Sequence, residues 1–307
     1  SGERVSSRED QILNNVFSTL LNSGFFEITT NSLTTNKLRK FSYWDNEKTV
    51  EMVNKLSDEH AILKQKLLFT SLDSIRYNIN RKQKNLKFFE FDKAYSFEEK
   101  EYKESSKIGI YITGLKQEEH FVNKPENVSF FDVINITNKV LNIARISDFE
   151  TKPKADSKTL DMCVEIISNG VVLGEIGMVK KEILKTFEIS QDVYHAEIDW
   201  PNLIMNFDKE FKFSEIPKFP QVQRDLSLVM NKDVKYNDVI SVIDLNKNKI
   251  LKKVSLYDIY EGDSIGSNRI AYSMRFILQD ESKTLGEKEI NSTICLLYTS
   301  PSPRDNR

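Results

Sequence analysis

The chain has 307 residues, 39% of them hydrophobic and 29% charged, and its 44 basic and 46 acidic side chains give a net charge of −2. This length and composition are typical of a globular protein of about two domains. The charge excludes binding of nucleic acid through a global positive field, so any such contact must use a local basic patch. The two cysteines, Cys163 and Cys295, are too few for a disulfide framework or a zinc site.

The first segment predicts an amphipathic helix. Ser6 and Glu9 have the spacing of a capping box, and Gly24 provides the stop signal. The apolar face of this helix predicts either an ordinary core face or part of a helical subunit interface. Its members include Leu13, Phe17 and Leu20.

The following segments alternate between strand and helix patterns. The predicted strands are FFEITTNSL (25–33), LKFFEFDKAYSF (86–97), SKIGIYITGL (106–115) and VYHAEIDW (193–200), and the predicted helices are SLDSIRYNINRK (71–82) and FFDVINITNKVLNIARI (130–146). Asn169-Gly170 predicts a β-hairpin within residues 163–179. We therefore expect residues 1–205 to form one α+β domain on a largely antiparallel sheet.

A charged connector, residues 206–218, separates this domain from a second one. Residues 219–294 read as strand, helix, strand, strand and helix, which is the ferredoxin-like β-α-β-β-α-β unit without its last strand. Residues 295–307, CLLYTSPSPRDNR, differ in character and resemble the translation of a sequencing adapter. We predict that they are an artefact and exclude them from the fold.

Several stretches carry a family resemblance. FPQVQRDLSLVM (219–230), VSLYDIYEGDSIG (254–266) and RIAYSMRFILQDESKTLGEKEI (269–290) resemble the ferredoxin-fold anticodon-binding domain of bacterial phenylalanyl-tRNA synthetase β subunits. The residues that carry the family pattern are Pro220, Arg224, Asp225, Asp258 and Gly262. LSDEHAILKQKLLFTSLDSIRYNINR (56–81) and VYHAEIDWPNLI (193–204) look like the catalytic-like module of the same subunit, so the resemblance implies a class II synthetase-like fold for the first domain.

A competent catalytic site is not expected. Adenylate formation by a class II enzyme needs arginines that stabilise the developing charge, but residues 86–97 offer only Lys87 and Lys93, and GEIGMVKKEI (174–183) follows its glycines with lysines. The three histidines, His60, His120 and His195, lack metal-ligand spacing, so we predict no metal site. The resemblance implies that ATP and Mg²⁺ bind on a catalytic α subunit and that this chain binds no cofactor.

The second domain offers candidate RNA contacts. In its third strand Tyr272, Met274 and Phe276 share one face, and Ser273, Arg275 and Ile277 share the other. Because an unpaired Arg275 is costly to bury, we predict that its face is open. The candidates for an anticodon surface are Arg224, Arg269, Arg275 and Tyr260.

Other roles stay open for several of these residues. Tyr260 fits a packing role, and the adjacent Arg224 and Asp225 fit either fixation of the strand's entry or, for the arginine, a phosphate contact. The basic run that contains Arg81 and Lys82 fits either a solvated helix end or a tRNA backbone contact.

The leading hypothesis is a β-subunit fragment that scaffolds the catalytic α subunit, in an α2β2 assembly implied by the resemblance, and that binds tRNA. The alternatives are a stand-alone RNA-binding or interaction module and a single-chain class II ligase. No apolar run reaches the length of a membrane span and no stretch resembles a signal peptide, so we expect a cytoplasmic protein without membrane contact.

Overall fold

The computed structural model describes residues 7–54, 57–117, 121, 124–207, 217–245, 248–262, 265–266 and 268–298. The chain divides into two compact units, Ser1–Phe211 and Lys212–Arg307, which are taken separately below. Among the described helices, none has both the length and the apolar character that a bilayer crossing requires.

The first unit is a seven-stranded sheet with helices on both faces. Its helices are α1 (Arg8–Asn22), α2 (Leu67–Asn80), α3 (Phe130–Ile143), α4 (Lys181–Thr186) and α5 (Trp200–Met205). Its strands are β1 (Phe26–Glu27), β2 (Leu33–Thr34), β3 (Ile62–Leu63), β4 (Leu86–Glu98), β5 (Glu101–Thr113), β6 (Glu150–Pro153), β7 (Leu160–Ser168), β8 (Val171–Val179) and β9 (Val193–Asp199). Two short 3₁₀ helices, Asn36–Lys40 and Asp58–His60, lie between α1 and α2.

The strand order of this sheet is β1-β4-β5-β9-β8-β7-β6, and β2 pairs separately with β3. Neighbouring strands run antiparallel except for β1, which is parallel to β4. Side chains of α1, α3 and α5 form a core on one face of the sheet. A second core on the opposite face contains side chains of α2 and α4. The sheet is therefore buried on both faces, as its apolar strands require.

The apolar face of α1 belongs to the core. Val16 and Leu20 have no exposed surface, and Leu13 and Phe17 pack partly buried against the same cluster. The helix begins one residue later than predicted, because Ser7 and Asp10 form the capping box, with Ser7 Oγ 3.1 Å from the Asp10 backbone nitrogen. The core alternative for this face is thus the observed one.

Local chemistry explains where some strands begin and end. Asn169 and Gly170 both have positive φ, 50° and 76°, and form the predicted two-residue hairpin turn between β7 and β8. The predicted strand at 25–33 is interrupted, because only its two ends pair, in β1 and β2. β4 and β5 run beyond their predicted limits to a tight turn at Glu99 and Lys100.

The second unit has a three-stranded antiparallel sheet covered by helices on one face. Its elements are β10 (Val222–Asn231), α6 (Tyr236–Leu245), β11 (Leu251–Tyr260), β12 (Arg269–Leu278) and α7 (Glu287–Tyr298). The strand order is β10-β12-β11, so the third strand in sequence lies in the centre. Residues 295–298 continue α7, and residues 299–307 lie outside the described residues, so their assignment to an adapter stays a prediction.

Candidate nucleic-acid interface

The two faces of the second sheet differ because side chains alternate along each strand. On the central strand β12, Met274, Phe276 and Leu278 are buried against α6 and α7. Tyr272 is buried on the same side, with its hydroxyl donating to the Val234 carbonyl at 3.2 Å. The other face, here called the open face, carries the alternate residues of β12, among them Arg269 and Arg275.

A β-bulge in β11 changes which residues reach the open face. Leu256 pairs with Met274 on the helix-covered side, but the next paired residues are Asp258 and Ser273, so β11 has one extra residue, Tyr257. The extra residue moves Asp258 and Tyr260 onto the open face, where a regular register would turn both toward the helices. The aromatic side chains of the open face therefore come from the edge strand β11, not from the central strand.

Arg275 is held between the two edge strands. Its Nε and Nη2 atoms donate to Oδ1 and Oδ2 of Asp225, each at 2.9 Å, in the bidentate geometry of a guanidinium–carboxylate pair. The guanidinium carbon also lies 5.1 Å from the centroid of the Tyr257 ring. The hydrogen bond from Arg275 lowers the pKa of Asp225, so the carboxylate is charged at neutral pH.

Two further cations of the open face, Arg269 and Lys253, lack a carboxylate partner among the described residues. Within the described residues, the side chains of Arg269 on β12 and Lys253 on β11 have no carboxylate within ion-pair distance. Lys253 pairs in register with Ile277, which puts it on the same face as Arg275. Sequence reasoning missed Lys253 and Tyr257, because the two register irregularities of β11 decide which of its residues face outward.

Arg224 does not share this face. It pairs in register with the buried Phe276, so strand alternation places it on the helix-covered side. There its Nη2 donates at 2.9 Å to Glu287, the first residue of α7. Arg224 and Asp225 therefore join β10 to two different elements, α7 on one face and Arg275 of β12 on the other.

The other residues that carry the family pattern are Pro220, Asp258 and Gly262, and they lie near the ends of β10 and β11. Pro220 is exposed, two residues before β10, and the preceding Phe219 carbonyl accepts a hydrogen bond from Gln279 at 2.7 Å. A Cβ atom at Gly262 would lie 2.4 Å from the Tyr260 hydroxyl, so a larger residue at position 262 would displace the Tyr260 side chain. Tyr260 is 46% exposed, and Asp258 is exposed beside it.

The two basic candidates of the first unit lie at the end of α2. Arg81 is engaged locally, with its guanidinium carbon 3.3 Å from the Tyr77 ring centroid and its Nη1 donating to the Tyr77 carbonyl at 3.1 Å. Lys82 follows with a positive φ of 68° and an exposed side chain. Neither residue lies in the unit that carries the open face.

A buried polar network occupies the α2-covered face of the first unit. Lys64 is fully buried, 3.3 Å from Glu90 Oε1 and 2.8 Å from Asp92 Oδ2. Glu90 also accepts hydrogen bonds from Thr30 Oγ1 at 2.6 Å and from Ser71 Oγ at 3.0 Å. The buried charges on this face are thus bonded to one another.

A buried tyrosine of β5 and a buried histidine of β9 lie against each other. The ring of His195 stacks on Tyr111 with centroids 4.7 Å apart, and its Nδ1 lies 3.1 Å from the Ile110 carbonyl. Burial lowers the pKa of His195, although the nearby Glu197 opposes this effect. Burial also raises the pKa of the Tyr111 hydroxyl well above its ordinary value.

A cavity of about 640 Å³ opens beside this network. Its described lining contains lysines and carboxylates but no arginine, and several of these lysines form ion pairs, such as Lys66 with Glu175 and Lys154 with Glu165 at 2.9 Å. Burial disfavours the charged ammonium of Lys66, but Glu197 and Glu175 outweigh it and raise its pKa. No group of three or more metal-ligating side chains lies close together in the described part of the chain.

Comparison with known proteins identifies both units. A family model described as the phenylalanyl tRNA synthetase beta chain CLM domain matches residues 2–200, and one described as the ferredoxin-fold anticodon binding domain matches residues 217–299. The phenylalanine–tRNA ligase beta subunits of Bacteroides fragilis (strain YCH46) and Porphyromonas gingivalis (strain W83) are each 31% identical, over 94% and 92% of this chain. The matches cover 37% and 36% of those relatives, so the chain spans little more than a third of their length.

A likeness among solved structures concerns the fold alone. The pyrrolysyl-tRNA synthetase of Desulfitobacterium hafniense is 16% identical in sequence, with a TM-score of 0.51 over 64% of this chain and 68% of that chain. Together with the ferredoxin-fold match, this likeness confirms the predicted fold class, an α+β synthetase-like sheet followed by a ferredoxin-like domain.

Proposed function

Because the chain belongs to the phenylalanyl-tRNA synthetase β-chain family, we propose that it is the part of a β subunit that scaffolds the catalytic α subunit and binds the anticodon region of tRNA. The assembled ligase would attach phenylalanine to its tRNA with ATP. A cytoplasmic location belongs to the same proposal.

The observation that carries the RNA-binding part is the open face of the second unit. It presents Tyr257 and Tyr260, which are 54% and 46% exposed, on the same face as two cations without a described carboxylate partner, Arg269 and Lys253. Exposed aromatic rings for base stacking and nearby cations for phosphates are the chemistry by which sheets bind single-stranded RNA. Within this proposal Arg269 and Lys253 contact phosphates, and Tyr260 lies against the anticodon loop.

The first unit serves as a scaffold in this proposal, with the adenylate site, ATP and Mg²⁺ on the α subunit. The described charged side chains that line its cavity are lysines and carboxylates with no arginine among them, and a lysine does not replace the bidentate guanidinium clamp that adenylate chemistry uses. The α2β2 assembly is likewise proposed from the family. Exposed apolar side chains at the α1 end of the sheet, Leu21 and Phe26, are the contact that we propose for the α subunit.

The test is tRNA binding by the full chain over a series of salt concentrations. Each phosphate contact that is removed should reduce the salt slope, d log K/d log[salt], by about 0.7–0.9. We therefore expect the double variant Arg269→Gln/Lys253→Gln to bind more weakly and with a slope about 1.4–1.8 smaller.

The matched control is Lys252→Gln, next to Lys253 in sequence, because Lys252 already forms an ion pair with Glu281 at 2.8 Å. The control should bind like the unmodified chain. Failure of the unmodified chain to bind phenylalanine tRNA, or equal slopes for the double variant and the unmodified chain, would overturn the proposed interface.

A further inference from the structure

We propose that Arg275 and Tyr257 together form a stacking site for one unpaired nucleobase, and that Asp225 is the positioning residue that holds Arg275 flat for this purpose. The inference rests on the proposed function, because it assigns a specific ligand chemistry to one part of the open face. It separates Arg275 from the phosphate-contacting cations of the same face.

The geometry fixes the guanidinium in one plane. Two hydrogen bonds of 2.9 Å from Nε and Nη2 to the two oxygens of Asp225 define the orientation of that plane, and the Tyr257 ring lies 5.1 Å from its carbon atom. A fork–fork pair of this kind restricts the rotations that an exposed arginine otherwise retains. Tyr257 is 54% exposed, so part of its ring is available to a ligand.

The electrostatics argue against a phosphate as the ligand. Asp225 stays ionised, because the hydrogen bond from Arg275 lowers its pKa, and the Arg275–Asp225 pair therefore has no net charge. A phosphate approaching Arg275 meets the Asp225 carboxylate as well, whereas Arg269 and Lys253 present uncompensated charge a few positions away. A neutral, flat surface suits a nucleobase, which stacks on aromatic rings and on guanidinium planes.

One donor remains for the edge of such a base. Within the described residues, Arg275 Nη1 makes no hydrogen bond, since Asp225 binds only Nε and Nη2. A base that lies against the Tyr257 ring therefore has an N–H donor within the same side-chain cluster, and a ring nitrogen or carbonyl oxygen of the base can accept from it.

The experiment separates the plane of Arg275 from its charge. Phenylalanine tRNA is titrated with the full chain at several salt concentrations. Arg275→Lys keeps the charge and removes the plane, so we expect about ten-fold weaker binding at every salt concentration with an unchanged salt slope. Tyr257→Leu should have the same effect, and Tyr257→Phe, which keeps the ring, should bind like the unmodified chain.

Arg76→Lys is the matched control, because it makes the same exchange on α2 of the first unit, where Arg76 pairs with Asp73 at 3.2 Å; it should bind like the unmodified chain. Asp225→Asn tests whether Asp225 orients Arg275 for stacking or only prevents Arg275 from contacting a phosphate. If Asp225 orients Arg275 for stacking, the variant binds several-fold more weakly. If Asp225 merely holds back a phosphate contact, the variant binds more tightly and with a steeper salt slope, which overturns the proposal.

A second readout reports stacking directly. The tRNA carries the fluorescent base 2-aminopurine at one unpaired anticodon-loop position at a time, and stacking on an aromatic ring quenches its emission. We expect one position at which the unmodified chain quenches emission and Tyr257→Leu does not. If the chain binds tRNA but Arg275→Lys binds equally well, or quenching at every position survives Tyr257→Leu, this inference fails while the proposed function stands. If the unmodified chain does not bind tRNA, both fail.

Discussion

At the scale of single residues, the buried charges of the first unit are the costliest groups to disturb. Glu90 is 1% exposed and accepts hydrogen bonds from a threonine, a serine and the fully buried Lys64. Removing one partner of a buried pair leaves the other charge without compensation, which typically costs 3–5 kcal/mol. Asp92, 2.8 Å from Lys64, keeps part of the compensation here, so the lower end of that range applies.

We therefore expect Glu90→Gln to lower the free energy of unfolding of the first unit by about 3 kcal/mol. Urea titration followed by tryptophan fluorescence measures this change, because Trp44 and Trp200 both lie in the first unit and are its reporters. The control is Glu104→Gln, whose ion pair with Lys93 is exposed, and which should leave stability nearly unchanged. Equal effects of the two variants would contradict the inferred importance of the buried network.

The burial of His195 predicts that the stability of the folded chain depends on pH. Burial lowers its pKa in the folded chain, so below the unfolded value of about 6.5 the unfolded chain binds a proton that the folded chain does not. The contribution of neutral His195 to the free energy of unfolding is fully present above that pH, and it is lost as the pH falls toward the pKa of His195 in the folded chain. We expect the free energy of unfolding to decrease between pH 7 and 5.5, at up to about 1.4 kcal/mol per pH unit.

The measurement is urea titration across this pH range. His195→Asn should flatten the dependence, because its amide donor replaces the ring nitrogen near the Ile110 carbonyl without titrating. The exposed His60 provides the matched variant, His60→Asn. An identical slope in His195→Asn and in the unmodified chain would contradict this assignment.

At the scale of elements, sequence reasoning was most successful where one local rule decides the structure. Asn169-Gly170 predicts its hairpin because both positions need positive φ, and the structure has 50° and 76° there. Periodicity likewise predicts the faces of β10 and β12. The bulge in β11 escaped prediction, because a one-residue register change depends on pairing with β12 and leaves no trace in the pattern of β11 itself. The sequence leaves the role of Arg224 open for a related reason, since a charge at a strand's entry can lie on either face.

The hairpin turn supplies a stability prediction. Gly170→Ala forces a Cβ atom into the left-handed region at φ 76°, which costs about 1–2 kcal/mol. Gly170→Asn should cost clearly less, because asparagine tolerates that conformation. Open space surrounds the position of a Cβ atom at Gly170, so packing does not contribute to the difference. Denaturation midpoints of the two variants test the expectation, and a larger loss for Asn than for Ala would contradict it.

At the scale of the whole molecule, the chain has two units with separate hydrophobic cores. The second core is small and covers one face of a three-stranded sheet, whereas the first sheet is covered on both faces. Burial of apolar surface is the main stabilising contribution to folding, so the second unit should be the less stable of the two.

We expect two unfolding transitions in urea. Far-UV circular dichroism reports both units, but tryptophan fluorescence reports only the first, so the two curves should not coincide, and the circular dichroism should begin to change at lower urea. Coincident curves would show that the chain unfolds as one cooperative body, contrary to this expectation.

The bulge at Tyr257 also has an evolutionary consequence. Because the extra residue decides whether Asp258 and Tyr260 point outward or toward the helices, the loss of a single codon there would exchange the outward and inward side chains of the last part of the strand. Such a deletion changes many contacts at once, whereas a single substitution changes one side chain and leaves the register of the strand as it is. Length at this position should therefore be more strictly preserved among homologous domains than the identity of the residues around it.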